Sequence, residues 1–480
     1  MKKSVFIPNL FLLITLLSNS IIYAQSYTTA GYAPLKADGK VHPHMKGYWK
    51  SVGDGYILDA TGDSILLYSY TTHFCYKEKN DYIEGLLNSQ ARFKTDGSQL
   101  TILSTDYGGR SADLQTPHHY VRIANLPKGT MTFDQMRGSG PVTLFQLYIE
   151  TMRENYAFSK ERQLNWDSIQ SKYGKQISNT TTNAELFKVL GEIATLTKDQ
   201  HTKVIAEDGK TLQYRGVRSA ALLAEAFNKQ SIVKNLDQYF NQFFDTGYKN
   251  ISDSLLQGKG QKVTNKQIEW GSLNQSVGYI NIHSFNGFAP RQYSRKQQID
   301  SVDASMKDII RSLQDKDALI IDVSFNFGGY DAAFLAIASF FTEKPVYAYT
   351  SEVFNNGRFN KESMVYIKPY GSVSFTKPVY ILMSDISRSA AEGFAMTMKS
   401  LPNVKLVGTN TLGTLSAMLG KSIGDFYVTL SNQRFVDADS KCYEVTGLIP
   451  DIPLVVFPKE NLFNGHMEAV RAIVSRIDKR

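Results

Sequence analysis

The chain changes its hydrophobic period along its length, and each change predicts a different architecture. From residue 46 to about 126, aromatic or branched residues alternate with polar ones, as in GYWKSVGDGYILDATGDSILLYSY, and Gly-Asp pairs interrupt the runs. A period of two with turn residues between the runs predicts short antiparallel strands, a small barrel or sandwich. Near Pro141 the period lengthens. Leu144, Leu147, Tyr148 and Met152 fall on one helical face, as do Leu186, Val189, Leu190 and Ile193, and a third helix starts between them near Asn165 or Asp167. Residues 215–256 read as helices with one polar side, suited to covering a groove, and LLQGKGQKV reads as a linker.

From Ile268 onward β and α segments alternate, the pattern of a mainly parallel sheet with helices on its faces. VGYINI (277–282) and ALIIDVS (318–324) read as buried strands, 299–313 and 332–341 as helices. Asn326-Phe-Gly-Gly329 lies between, a turn where backbone N–H groups can crowd a bound oxygen. The stretch 378–413 organises the rest: an apolar strand ending at Met383, a polar turn, Ser389-Ala390-Ala391-Glu392 opening a helix to Lys399, and a second strand at 404–407. In parallel sheets, chemistry sits beyond the carboxyl ends of the strands. A serine there has its hydroxyl at a helix N-terminus, where exposed N–H groups favour negative charge. The same Ser-x-x-Glu spacing is also that of a capping box. Further on, 452–457 reads as a strand and a closing helix starts near Glu460.

These shifts divide the chain into 1–24, a signal peptide; 25–135, a β-rich domain; 140–205, a three-helix subdomain carrying His201; 206–265, a helical cover and linker; and 266–480, an α/β core. The signal is read from Lys2 and Lys3, the apolar run from Val5 to Ile22 and a cut after Ala24, with an uncleaved anchor as the alternative. No later stretch reaches spanning length, and no cysteine follows the cut to carry a lipid. Export to a periplasm or beyond the cell is the expectation. A hydrophobic content of 42% excludes a disordered chain. The net charge of +8 is scattered and not clustered, so no nucleic-acid partner is expected. Cys75 and Cys442 suit small buried positions, and their separation in sequence leaves pairing open. His42, His44, His118 and His119 have no partners at metal spacing, with His118 and His119 read in a loop, and His283 follows a strand end as a structural histidine, with a place at the edge of the cleft as the alternative. No phosphate-binding Gly-Lys loop is present. No cofactor or metal is expected.

Four motifs in order give these pieces a common meaning. They are Leu196-x-x-Asp199-x-His201-Thr202, Asp322-x-x-x-Asn326-x-Gly328-Gly329, Ser389-Ala390-Ala391-Glu392 and Glu444-x-x-Gly447-x-x-Pro450-Asp451. Over roughly residues 140–455 the chain resembles the tail-specific (C-terminal-processing) serine peptidases, in the branch of the tricorn core and the interphotoreceptor retinoid-binding protein. The resemblance implies a ClpP/crotonase-like α/β core beside the N-terminal antiparallel β domain and the three-helix subdomain. It implies an exported endopeptidase acting on a peptide or protein, with Ser389 as nucleophile, His201 as base and Glu444 as the carboxylate orienting it. Gly328 or Gly329 with Ala390 would supply the oxyanion N–H groups.

Several positions depart from the family pattern. The Ser–Lys branch has a Gly-Lys pair where this chain has Gly413-Thr414, which leaves a Ser–His–Glu arrangement. Ser324 stands where arginine is usual, and Gln200 where the tricorn core has serine. No PDZ module is evident between His201 and Ile268. These departures frame the alternative, a family member with weak or no activity that binds an apolar ligand or a peptide.

Overall fold

Every residue of the strands Val277–Ile282, Ala318–Asp322 and Val379–Met383 is buried, so both faces of the sheet they form must be covered. The computed structural model, which describes residues 31–79, 91–103, 117–371 and 373–479, supplies both covers. Ile280, Ile321, Ile381 and Met383 pack with the helices Arg295–Ser312, Asp331–Ala338 and Ala390–Lys399. The alternate residues Tyr279, Ile320, Tyr380 and Leu382 pack with Leu236–Lys249 and Gly465–Ile477. The sheet has seven strands. Four neighbouring strands are parallel, with registers Val277↔Ala318, Leu319↔Val379 and Val379↔Val404. The short strand Ile452–Pro453 extends this parallel set, and two antiparallel strands, Gln261–Val263 and Ile268–Ser272, close the other edge. The turns holding Asn326 and Ser389 leave adjacent strands at the same carboxyl end, where this topology makes a cleft.

The N-terminal alternation forms one eight-stranded antiparallel sheet around Trp49, Leu58, Leu67, Phe93, Leu100 and Ile102. Buried Lys421 reaches it from the core, with Nζ 2.7 Å from Gly55 O and 3.2 Å from Ser69 Oγ. The three helices are Pro141–Asn155, Trp166–Gly174 and Asn183–Leu196. Their starts are set locally. Pro141 opens the first, Asn165 caps the second through the Ser168 N–H, and Thr182 with Glu185 makes a capping box on the third. The third ends at a turn with Lys198 at φ 51°. The chain then enters the strand Lys203–Ala206, which pairs with Phe426–Ser431 and so carries His201 to the core.

Some elements differ from the sequence reading. Residues 346–367 form a long hairpin, Val346–Asn355 with Arg358–Ile367, turning at Asn356-Gly357 with both φ positive. Strands Met418–Ile423, Phe426–Ser431 and Gln433–Asp437 follow the irregular stretch 409–417. The strand expected over 452–457 is limited to Ile452–Pro453, and the final helix starts at Gly465. His118 and His119 lie in the strand His118–Ile123, not in a loop, because Tyr120 fills the β core beside them. Cys75 and Cys442 are both free thiols. The predicted signal segment lies outside the described residues. Among the described residues, no helix is long and apolar enough to cross a membrane.

Candidate active site

Two polar turns are stitched together where their strands end. Ser384 Oγ donates to Ser324 O (2.6 Å) and Ser387 Oγ to Val323 O (2.7 Å), and Arg388 N donates to Asn326 O (3.3 Å). Ser324, where arginine is usual, is fully buried in this seam. Asn326 shapes its own turn: Nδ2 donates to Ile282 O (2.8 Å) and Oδ1 accepts from Gly328 N (2.7 Å). The two glycines that follow have φ of 105° and 148°. A Cβ on Gly328 would fall 2.7 Å from Ser389 Cβ, and one on Gly329 would fall 2.3 Å from Phe285 C. Only glycine lets the turn press this closely on the elbow.

Ser389 itself has φ 56° and ψ −125°, a conformation that costs a residue with a Cβ. It heads the helix Ala390–Lys399. Glu392 does reach back to Ser389 N (3.3 Å), as a capping box requires. It does more than cap, because the same carboxylate accepts from Thr411 Oγ1 (2.6 Å), Gly413 N (2.8 Å) and Thr414 N (2.8 Å). Burial pushes Glu392 up to about 7, against the pull of these donors.

Residues 413–416 form a strap that the Ser389, His201 and Glu444 segments all meet. Ser389 N donates to Thr414 O (2.9 Å). Glu444 Oε2 accepts from Leu415 N (2.7 Å) and Ser416 N (2.9 Å). The His201 imidazole lies beside the Ser416 backbone. The flanking residues also meet, since the Arg388 guanidinium donates to Gln200 Oε1. The structure therefore brings the Ser389, His201 and Glu444 segments to one strap. It does not join their side chains: Glu444 Oε1 faces Arg162 Nη2 at 3.2 Å, and His201 Nδ1 is buried with no hydrogen-bond partner.

The electrostatics follow from this burial. His201, 6% exposed, is pushed down to about 4 by desolvation, with Lys203 and Arg388 adding to the shift and Asp199 opposing it. Its imidazole is therefore neutral at pH 7. Glu444 is pushed up to about 8 by burial and by the Asp199 carboxylate, while Arg162 and the Ser416 N–H pull it down. The N–H groups of Gly329 and Ala390 have no acceptor among the described residues, whereas that of Gly328 is spent on Asn326. Of the three oxyanion candidates, two keep a free donor beside the serine.

Two residues of the site carried no role in the sequence reading. Asp199 is fully buried. Its Oδ1 accepts from His201 N (2.8 Å) and its Oδ2 from Thr202 Oγ1 (3.1 Å), so it fixes the turn that carries the imidazole. Arg162 joins three segments, donating to Lys198 O (2.7 Å), Gly413 O (3.3 Å) and Glu444 Oε1. Asp199 stood in a motif and could have been weighed as a carboxylate. Arg162 lies in a charged run, Lys160-Glu161-Arg162, that reads as solvated surface.

Comparison with known proteins adds to this geometry. Residues 276–454 match the model of peptidase family S41, and residues 143–195 match that of the tricorn protease C1 domain. The carboxy-terminal processing protease CtpA of Bacillus subtilis (strain 168) is 24% identical over 253 residues. That alignment covers 52% of this chain and 48% of the relative, so the chain spans about half the length of the curated relative it matches. The crystal structure of a candidate peptidase from Parabacteroides merdae ATCC 43184 superposes with a TM-score of 0.57 at 22% identity, covering 70% of this chain and 96% of the other, and shares the fold. The α/β core thus matches the tail-specific peptidase family S41, and the helical unit before it matches the C1 domain of the tricorn protease.

Proposed function

We propose that the protein is an exported serine peptidase that hydrolyses peptide bonds through an acyl-enzyme on Ser389. The observation that carries this reading is the strained elbow. Ser389 is held at positive φ on a helix N-terminus, with a glycine turn pressed against it and the Gly329 and Ala390 N–H groups free beside it. A capping serine needs neither the strain nor the glycine turn.

The chemistry is that of acyl transfer. Neutral His201 takes the Ser389 proton as Oγ bonds to the substrate carbonyl carbon. The oxygen that becomes negative is held by the Gly329 and Ala390 N–H groups, each such donor contributing about 3 kcal/mol. The imidazolium then protonates the leaving amine as the C–N bond breaks. Water then gives a proton to the same imidazole as it attacks the ester, and the imidazolium returns that proton to Ser389 Oγ as the acyl C–O bond breaks and the acid product leaves. Asp199 supplies the negative charge that stabilises the imidazolium. Glu444 acts through the strap, fixing Leu415 and Ser416 against the imidazole. Closure on substrate would shorten the remaining gaps, as catalytic hydrogen bonds commonly tighten in the Michaelis complex.

A second reading, a peptide-binding protein without turnover, is favoured by one observation: Glu444 is committed to Arg162 and two N–H groups and makes no hydrogen bond to His201. Incubation with a peptide mixture separates the two. Peptidase action predicts new termini that Ser389→Ala protein does not produce, and a transient mass increase on the Ser389 peptide. Identical products from parent and Ser389→Ala protein, or none from either, would refute the peptidase reading.

A further inference from the structure

A cavity of about 240 Å³ opens beside the elbow. Phe240, Phe244, Leu223 and Val217 from the covering helices and their lead-in make its outer wall, and Ile386 and Phe327 make the inner one. The cover is fixed to the elbow turn, because Asp385 accepts from both Ser219 N (2.6 Å) and Ser219 Oγ (2.5 Å) at the start of the helix Arg218–Asn228. Its polar lining has one sign. Arg388 and Arg215 face it, with the amides of Gln200 and Gln213. Arg388 lies over the Phe327 ring at 4.5 Å and donates to Gln200, a neutral acceptor. Among the described residues, neither guanidinium has a carboxylate within salt-bridge distance, and Asp385 and Glu392 are both spent on other donors. Arg388 is partly buried, and such a guanidinium without a counter-charge is costly unless a ligand supplies one, whereas Arg215 is exposed at the mouth of the cavity.

We infer that this cavity is a substrate subsite that recognises a peptide carboxylate, with Arg388 and Arg215 as the paired anchors and the aromatic wall holding the aliphatic part of the same residue. The inference rests on the peptidase reading for the term substrate but not for the binding itself. The position is favourable. Arg388 precedes Ser389 and Gln200 precedes His201, so a carboxylate held here lies next to the candidate scissile bond. The planar fork of arginine suits a carboxylate in a bidentate pair, and the apolar walls strengthen it by excluding water. The carboxylate has two sources, an acidic side chain or the free end of a peptide.

Binding to Ser389→Ala protein, read by fluorescence anisotropy, tests this without turnover. One pair of peptides carries Glu or Gln at a single internal position with amidated ends. A second pair has no acidic side chain and ends in a free acid or an amide. The acid form should bind about tenfold or more tightly in at least one pair, the gain of one charge-assisted hydrogen bond. Discrimination in the first pair assigns an acidic side chain, and in the second the chain end. Arg215→Gln and Arg388→Gln should each bring the acid-to-neutral ratio toward one. Equal binding within both pairs, or discrimination that survives both substitutions, would overturn the inference. Discrimination without cleavage by the parent protein would refute the peptidase reading and leave this one standing.

Discussion

Adding one methyl group at Gly328 tests whether the glycine turn and the elbow form one machine. The ideal Cβ falls 2.7 Å from Ser389 Cβ, 2.9 Å from Arg388 O and 3.0 Å from Ala390 N. Non-bonded carbons rest at roughly 3.5–4.0 Å, so turn and elbow must separate by about 1 Å. None of the three neighbours is the end of a flexible side chain that could step aside. Backbone with φ of 105° adds about 1–2 kcal/mol for a residue with a Cβ, and overpacking about 1–3, so Gly328→Ala should cost about 2–5 kcal/mol. A displacement of about 1 Å at a reacting centre costs about 10²-fold in rate. The assay is the second-order rate of fluorophosphonate reaction at Ser389, beside denaturant unfolding of the same sample. Gly357→Ala is the control, since Gly357 has φ 86° and open space around its Cα. It should lose about 1 kcal/mol and keep the parent labelling rate. A Gly328→Ala protein that labels as fast as the parent would refute the claim that this turn positions the elbow.

Three further outcomes follow from the same geometry. Arg162→Leu removes the buried donor that ties Lys198 O, Gly413 O and Glu444 Oε1 together, so it should cost about 1–3 kcal/mol by denaturant unfolding and slow labelling as the strap loosens. A loss under about 1 kcal/mol would show that Arg162 does not hold the strap. Burial holds His201 near 4 in the folded state, so the acid limb of kcat/KM should lie well below the usual histidine value of about 6.5. The unfolded chain takes up this proton first, so His201 lowers stability as pH falls from about 6.5 through 4, and His201→Gln should flatten that part of the pH–stability curve. Glu444 has the opposite sign. The folded state keeps its proton up to about 8, so its contribution is lost as pH rises from the unfolded value through 8, and Glu444→Gln should flatten that window.

How much of this was legible in the sequence depends on whether a feature is local. The strand Val379–Met383, the elbow and the helix to Lys399 were readable because apolar run, polar turn and helix formers are contiguous. The turn at Gly328-Gly329 was readable because paired glycines after a buried strand have few other uses. The hairpin 346–367 was also within reach, since Asn356-Gly357 between alternating runs is a strong turn signal, but the run on either side lacks a clean period of two. The strap was not legible. Gly413–Ser416 has no periodicity, and its importance comes from accepting and donating to groups as distant in sequence as Ser389 and Glu444. Arg162 was hidden for the same reason, because its burial is created by the packing of three separate segments around it. The family resemblance placed His201 at the core, where local reading made it an exposed turn residue.

The central claim is that Ser389 and His201 act as one nucleophile–base pair. It is tested most directly by treating the folded protein with a fluorophosphonate and mapping the adduct by mass spectrometry in the parent and in His201→Ala protein. The account predicts a single adduct on Ser389 in the parent and a loss of at least about 10²-fold in its rate of formation in His201→Ala protein. An adduct elsewhere, no adduct on a folded parent protein, or equal labelling in both proteins would contradict it.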